Sequence, residues 1–296
     1  MDCYRIINGV YGGKEMANYK ILYNPKSNNK QGKTAAQAVT NLIKGEEYEY
    51  IDWLSITDRN QFFNALDEND KIILCGGDGT LNHFINDVDT DALKNDVYLY
   101  AVGTGNDFVT SIGGDTETLI HINEYLVNLP TVTVKQKDYK FINGVGFGID
   151  GYCCEVGDVQ KEKSDKPVNY TSIAIKGLLF HFQPVNAVVT VDGKVERFKK
   201  VWIAPTMYGT CYGGGMFPTP DQKRGEGKVS TMLFFGKGRL KTLSVFPSIF
   251  KGEHVQHTDM VRIFTGKTVT VKFDRPTALQ IDGETIKNVT EYSVKF

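Results

Sequence analysis

The run Leu74-Cys75-Gly76-Gly77-Asp78-Gly79-Thr80-Leu81-Asn82 restricts this chain more than any other stretch. Residues 70–75 read as a short buried strand entered from a polar turn, and Leu81, Phe84, Ile85 and Val88 repeat behind it at helical spacing. Three glycines lie between. Strand, glycine turn and helix is the arrangement in which backbone N–H groups and the positive end of a helix converge on a phosphate. Glycine suits such a turn because a Cβ would hold the phosphate off the backbone and forbid positive φ. Asp78 alone is a poor phosphate ligand; a carboxylate among phosphates makes sense where a divalent cation neutralises both. The same run also satisfies a plain strand-to-helix turn with a capping Asp. The remaining chain separates the two readings.

Other polar loops follow apolar strands in the same way. Lys20–Tyr23 runs into Asn24-Pro25-Lys26-Ser27-Asn28-Asn29-Lys30, where Asn-Pro forces the chain out of helical geometry. Val97–Val102 runs into Gly103-Thr104-Gly105-Asn106-Asp107-Phe108. Helical spacing is visible over residues 34–43 and 58–66, and a further strand over 48–53. Strands alternating with helices predict a mainly parallel sheet, whose ligands sit at the carboxyl ends of its strands. The loops after Tyr23, Cys75 and Val102 are three such ends, and they can converge on one site.

After about Pro130 the pattern changes to strands: 131–134, 141–142, 187–191, 201–203, 229–235, 268–273 and 292–296, with Asp192-Gly193 as a hairpin turn. Helical pieces at 170–182 and 240–250 interrupt them. The fold class expected is therefore α/β plus all-β. Residues 1–128 form a nucleotide-binding α/β domain. Residues 129–296 form a β-rich domain of two packed sheets or a flattened barrel, whose last strand is allowed to pack back on the first domain. A length of 296 residues suits two cores rather than one.

Composition excludes more than it selects. A net charge of -1 gives no overall attraction to nucleic acid or anionic lipid. The five cysteines (Cys3, Cys75, Cys153, Cys154, Cys211) are odd in number and lack Cys-x-x-Cys spacing, which argues for a reducing compartment and against a disulfide framework or zinc site. No apolar segment follows the first residues as in a signal peptide, and no stretch has the length of a spanning helix. A cytoplasmic protein is expected, with peripheral contact at the inner face of a membrane left open. His254 and His257 share His-x-x-His spacing but have no third ligand nearby, so they read as surface or packing residues. Cys153-Cys154 reads as small buried side chains.

Gly76-Gly77-Asp78-Gly79-Thr80 together with Gly103-Thr104-Gly105-Asn106-Asp107-Phe108 resembles the diacylglycerol kinase catalytic domain, and within it the soluble bacterial lipid kinases of the diacylglycerol, sphingosine and ceramide kinase superfamily. Three further matches extend the resemblance over nearly the whole chain. These are Asn24-Pro25-x-Ser27, the run from Tyr212-Gly213-Gly214-Gly215-Met216 through Pro220-Asp221 to Glu226-Gly227-Lys228-Val229, and Ile281-Asp282-Gly283-Glu284. The resemblance implies an active site in the cleft between the two domains. It implies ATP gripped by the backbone of Gly76, Gly77, Asp78, Gly79 and Thr80, with Asn24, Ser27 and Lys30 assisting and Gly103, Thr104, Gly105 and Asn106 completing the pocket. It implies catalytic Mg²⁺ on Asp78 and Asp107, a general base at Glu284, and a structural Mg²⁺ at Asp221 and Glu226. Partners implied are ATP, a lipid acceptor and a membrane surface, with a homodimer allowed and no nucleic acid.

Departures from the family pattern occur at Asn28 (for glycine), His83 (for glutamate), Gly225 (for aspartate) and Lys135, which follows Val134 where an acid is usual. Two other readings stand beside the lipid kinase. An NAD kinase shares the Gly-Gly-Asp-Gly loop, and a catalytically weak nucleotide- or lipid-binding regulator would explain the departures. The segment 237–251 mixes cations with large apolar groups. It reads either as a cover for the sheet or as a membrane-surface element led by Phe246 and Phe250.

Overall fold

The computed structural model describes residues 18–27, 32–103, 105–164 and 168–296. Asn28, Asn29, Lys30 and Thr104, which carry part of the sequence reading, lie outside the described residues.

The first half is a five-stranded sheet in the order β2-β1-β3-β4-β5, from β1 (Asn18–Tyr23), β2 (Glu47–Asp52), β3 (Lys71–Gly76), β4 (Val97–Ala101) and β5 (Ile120–His121). The first four strands pair in parallel; β5 is antiparallel to β4. Parallel strands covered on both faces read as continuous apolar runs, and Ile72, Ile73, Leu74 and Cys75 are all buried. One face packs against the glycine-loop helix Asp78–Asp87, where Phe84 meets Phe63 and Trp53 as an aromatic cluster. Register sets the function of this sheet: Tyr23 pairs with Cys75 and Gly76 with Ala101, so the three polar loops leave the sheet side by side.

The second half is antiparallel. The path β13-β12-β11-β8-β14-β15-β6-β7 joins β6 (Thr131–Val134), β7 (Lys137–Lys140), β8 (Gly144–Gly148), β11 (Ile203–Met207), β12 (Val229–Phe234), β13 (Val261–Gly266), β14 (Thr268–Ile281) and β15 (Glu284–Lys295). The pair β9 (Val185–Val191) and β10 (Lys194–Val201) attaches through β14. Register shifts between Lys272 and Leu279 bend the long strand β14. The sheet thus closes over its own core, in which Phe147 stacks on Phe273 and meets Tyr292 edge-on, as a sandwich. Asp192-Gly193 and Asp282-Gly283 have positive φ at both residues, the backbone a two-residue hairpin needs.

Three expectations change. The last strand, β15, pairs with β14 and β6 in the ten-stranded sheet and not with the five-stranded one. Phe141 and Ile142 are not a strand but a buried connector after β7, because the backbone N–H of Ile142 is taken by the Asp282 carboxylate. The run Gly144-Val145-Gly146-Phe147-Gly148, which its glycines hide from propensity, is a fully buried central strand. It leads into the helix Ile149–Lys163, also absent from the sequence reading. Gly146 and Gly151 are needed for close packing: a Cβ on the first would meet the Asp150 carboxylate at 2.2 Å, and on the second the Ala278 carbonyl at 1.9 Å.

Candidate active site

The two glycine motifs are in contact. A Cβ built on Gly103 would stand 2.8 Å from the Gly77 Cα, and one on Gly76 would stand 2.1 Å from the Thr80 hydroxyl. Glycine is thus required by the meeting of two backbones, beyond any demand a phosphate makes. Asn106, at φ 48°, turns the chain and donates from Nδ2 to the Gly103 carbonyl at 2.8 Å.

Asp78 bridges the motifs. Its Oδ1 accepts from the Phe108 N–H (2.9 Å) and from Asn143 Nδ2 (3.0 Å), and its Oδ2 from the Asp107 N–H (3.0 Å). The capping role open to Asp78 from the sequence is real, but the helix it caps is Asp107–Ile112, not its own. Oδ2, with a single donor, keeps room for a cation.

Asp107 faces the second domain. Its Oδ1 accepts from the N–H groups of Gly214 (3.0 Å) and Gly215 (3.3 Å) and from the Cys211 thiol (3.4 Å). Burial, and after it the charge of Asp78, raises its carboxyl above the ordinary range, while these donors pull it back. Asp107 therefore clamps the glycine-rich segment of the β domain onto the two glycine loops of the first domain. Magnesium takes one or two carboxylates and keeps several waters. Asp78 and Asp107 are the carboxylates that would hold such a cation, directly or through water. Among the described residues no three His, Cys, Asp or Glu side chains gather as a metal cluster.

Glu284 follows the β14–β15 hairpin turn and faces the glycine loop. Its Oε1 would stand 3.9 Å from a Cβ on Gly79, and it is 3.9 Å from His83 Nε2. The turn is held by Asp282, which sequence reading quotes in a motif but gives no role. This fully enclosed carboxylate accepts from the N–H groups of Ile142 (2.7 Å), Asn143 (2.8 Å) and Gly144 (2.8 Å), and from Asn82 Nδ2 (3.2 Å) of the glycine-loop helix.

In the first polar loop Asn24 Oδ1 accepts from the Lys26 N–H at 2.9 Å and Ser27 Oγ donates to the Asn24 carbonyl at 2.7 Å. A Cβ on Gly32 would lie 2.0 Å from that carbonyl, so the backbone after this loop packs directly against Asn24. Lys135 sits in the β6–β7 turn and donates from Nζ to the Lys287 carbonyl at 2.8 Å. It does not line the cleft.

Asp221 and Glu226 are exposed, and among the described residues no third acid, His or Cys joins them as a metal cluster. Glu226 lies 3.8 Å from the Lys223 ammonium, Asp221 is exposed, and the loop is closed by Gln222 Nε2, which donates to the carbonyls of Lys223 and Lys228 at 3.0 Å each. These donors do not fit a structural Mg²⁺.

A cavity of about 700 Å³ runs through the cleft. Its lining includes Asp78, Gly79, Gly105, Asp107 and Glu284, and also the apolar side chains of Ile149, Cys153, Ala174, Met216, Phe246 and Phe250. Phe246 is buried in this wall and so is not a surface anchor. Asp150 and Tyr212 also line it, only 5 % and 6 % exposed, with their side chains beside one another. Burial raises the Asp150 carboxyl to about 7, and the neighbouring tyrosine offsets only part of that rise. Sequence reading missed both. The one signal was an acid directly behind an apolar, glycine-rich strand. Burial likewise pushes the Cys75 thiol up to about 12 and raises those of Cys153, Cys154 and Cys211, so none is a nucleophile at neutral pH. His254 is fully buried with Nε2 3.0 Å from the Pro218 carbonyl, a packing residue as expected.

This pair of domains defines a class. The family model for the diacylglycerol kinase catalytic domain matches residues 18–134, and that for the YegS C-terminal NAD kinase beta sandwich-like domain matches residues 143–293. The chain belongs to the diacylglycerol kinase catalytic-domain family, in its two-domain form with a YegS-type second domain. A curated protein of Staphylococcus aureus (strain Newman) named "Putative lipid kinase" is 26% identical over 229 residues, covering 75% of this chain and 72% of its own. A diacylglycerol kinase structure from Bacillus anthracis str. Sterne superimposes with a TM-score of 0.64 at 17% identity, over 96% of this chain and 95% of that one. A second structure from the same organism, a "putative diacylglycerol kinase", gives 0.65 at 16% identity, over 98% and 95%. These structures share the fold. No described helix is long and apolar enough to cross a membrane.

Proposed function

We propose that this chain transfers the γ-phosphoryl group of ATP, with Mg²⁺, to a hydroxyl of an amphiphilic lipid. The observation that carries the reading is the cavity of about 700 Å³ that Asp78, Asp107 and Glu284 line together with apolar side chains. Phosphoryl transfer needs a held nucleotide, neutralised charge and an aligned hydroxyl. The backbone of residues 76–80, the turn at 103–106 and the loop at Asn24 and Ser27 hold the phosphates. Asp78 and Asp107 would hold Mg²⁺, which would supply charge neutralisation at the transferred group. Glu284 accepts the proton of the acceptor hydroxyl as its oxygen bonds to the γ-phosphorus, and the bond from that phosphorus to the bridging oxygen breaks to release ADP. Asp150 and Tyr212 place polar side chains in the wall of the same cavity, which suits an acceptor with a second polar group beside the reacting hydroxyl.

The lipid reaches this cavity from a bilayer. The helix Tyr170–Lys176 and the turn Gly177–His181 after it pack beside the helix Arg239–Val245, with Arg239 Nη1 donating to the Leu178 carbonyl at 2.7 Å. Phe180 and Leu240 stand out from these neighbours, 69 % and 80 % exposed. Lys176, Lys237, Arg239, Lys241 and Lys251 belong to the same two segments, 170–182 and 236–252, which contain no Asp or Glu.

The test is transfer of labelled γ-phosphate from ATP and Mg²⁺ to a mixed lipid panel, with NAD⁺ as a control. A labelled lipid with the parent, lost in Asp78→Asn and Glu284→Gln, is expected. Labelled NADP⁺ would make the chain an NAD kinase, and binding without any product would make it a regulator.

A further inference from the structure

The loop between β11 and β12 carries the acids that do not form a cation site, and it also carries a cation of the protein's own. Arg224 is half-buried between the rings of Phe108 and Tyr208, 5.2 Å from each centroid, one ring from each domain. Its Nη1 donates to the Ile142 carbonyl. Its Nη2 donates to Ser111 Oγ at 2.7 Å and to Asn143 Oδ1 at 3.0 Å. Burial draws its pKa down to about 10, so it stays charged at neutral pH.

Resting on the kinase reading above, we propose that Arg224 is the positioning residue for Asp78, and that it organises this interdomain junction without a structural divalent cation. The argument is one of donors and acceptors. A guanidinium only donates, and an ionised carboxylate only accepts. Asn143 lies between the two, so its amide has one orientation that satisfies both: Oδ1 toward Arg224, and Nδ2 toward Asp78 Oδ1 at 3.0 Å. With Arg224 gone the amide is free to flip, which would set its oxygen against the Asp78 carboxylate. With Arg224 present, Oδ1 of Asp78 is filled by Asn143 and Phe108, and Oδ2 is the oxygen left for a cation. The relay Arg224, Asn143, Asp78 thus links the β domain to the metal-binding oxygen across three separate stretches of chain. Lysine is no substitute, because a point charge cannot reach the Ile142 carbonyl, Ser111 and Asn143 together.

The test uses the full chain, with Arg224→Lys, Asn143→Leu and the double variant. Isothermal titration with Mg·ATP should show each single change weakening affinity roughly tenfold, the range found for outer-sphere partners of metal ligands. The double variant should be no weaker than Asn143→Leu alone. Asn143→Leu leaves the Ile142 and Ser111 contacts of Arg224 in place, so it separates positioning from folding. A second readout needs no nucleotide: the Asn143 side-chain amide protons should exchange slowly in the parent and quickly in Arg224→Lys. In thermal melts without nucleotide, EDTA should leave the parent unchanged. The proposal fails if Arg224→Lys binds Mg·ATP as the parent does, if the two losses add, or if EDTA lowers the melting temperature. A parent that binds no Mg·ATP, yet shows the exchange difference, would overturn the kinase reading while leaving the Arg224–Asn143 relay standing.

Discussion

Gly77 and Gly103 lie backbone against backbone, so closely that a Cβ on either would stand 3.0 Å or less from the other's Cα. Two loops separated by a helix and a strand are thereby held as one surface. Gly103→Ala is expected to cost about 1–3 kcal/mol, the usual penalty of overpacking. It should also lower nucleotide affinity, because it pushes the two loops apart. Urea denaturation and nucleotide titration check both; unchanged affinity in a folded variant would mean that the second loop does not shape the nucleotide site.

Asp282→Asn places an amide N–H₂ among donors that now surround a carboxylate from four sides. Loss of a buried, fully hydrogen-bonded charge should destabilise the fold by about 3 kcal/mol. Transfer should fall too, since Glu284 follows directly on the turn that Asp282 holds. A stability loss below about 1 kcal/mol would show that the donors find other partners.

Asp150 makes stability depend on pH in a definite direction. Its carboxyl is raised by burial to about 7, far above the value in an unfolded chain. Its favourable contribution is therefore complete below about pH 4. It is lost as pH rises through about 7. Parent stability, measured in urea at pH 5 and pH 8.5, should fall more steeply with pH than that of Asp150→Asn. Equal slopes would place the Asp150 carboxyl in contact with solvent.

Phe180→Ser combined with Leu240→Ser should leave stability within about 0.5 kcal/mol, because both side chains are exposed. Binding to vesicles containing phosphatidylglycerol should drop roughly tenfold, given the apolar area that would leave the bilayer. Binding of the parent should weaken as salt screens the neighbouring lysines. Undiminished flotation of the double variant would move the membrane face elsewhere.

Much of this molecule is legible in its sequence, because local chemistry sets it. Apolar runs ending in polar, glycine-rich loops specify the parallel sheet and its phosphate-facing edge. Alternation in strands such as 185–191, together with the Asp-Gly turns, specifies an antiparallel half. Asp78, Asp107 and Glu284 stand out for the same reason: each lies in or beside a turn that few residue types can make. What only tertiary structure decided are roles that depend on distant partners. Asp282 meets Asn82 at a separation of 200 residues and Ile142 at 140, and Arg224 reaches Asn143 and Ser111 across 81 and 113. No periodicity marks such residues, since a buried polar group is defined by which donors and acceptors folding brings to it. The glycines of Gly144–Gly148 mislead for the same reason, because their value lies in helix and strand backbones that pack against them. Asp150 and Tyr212 are ordinary polar residues along the chain, and become conspicuous only when the fold buries them beside one another in the wall of the cavity.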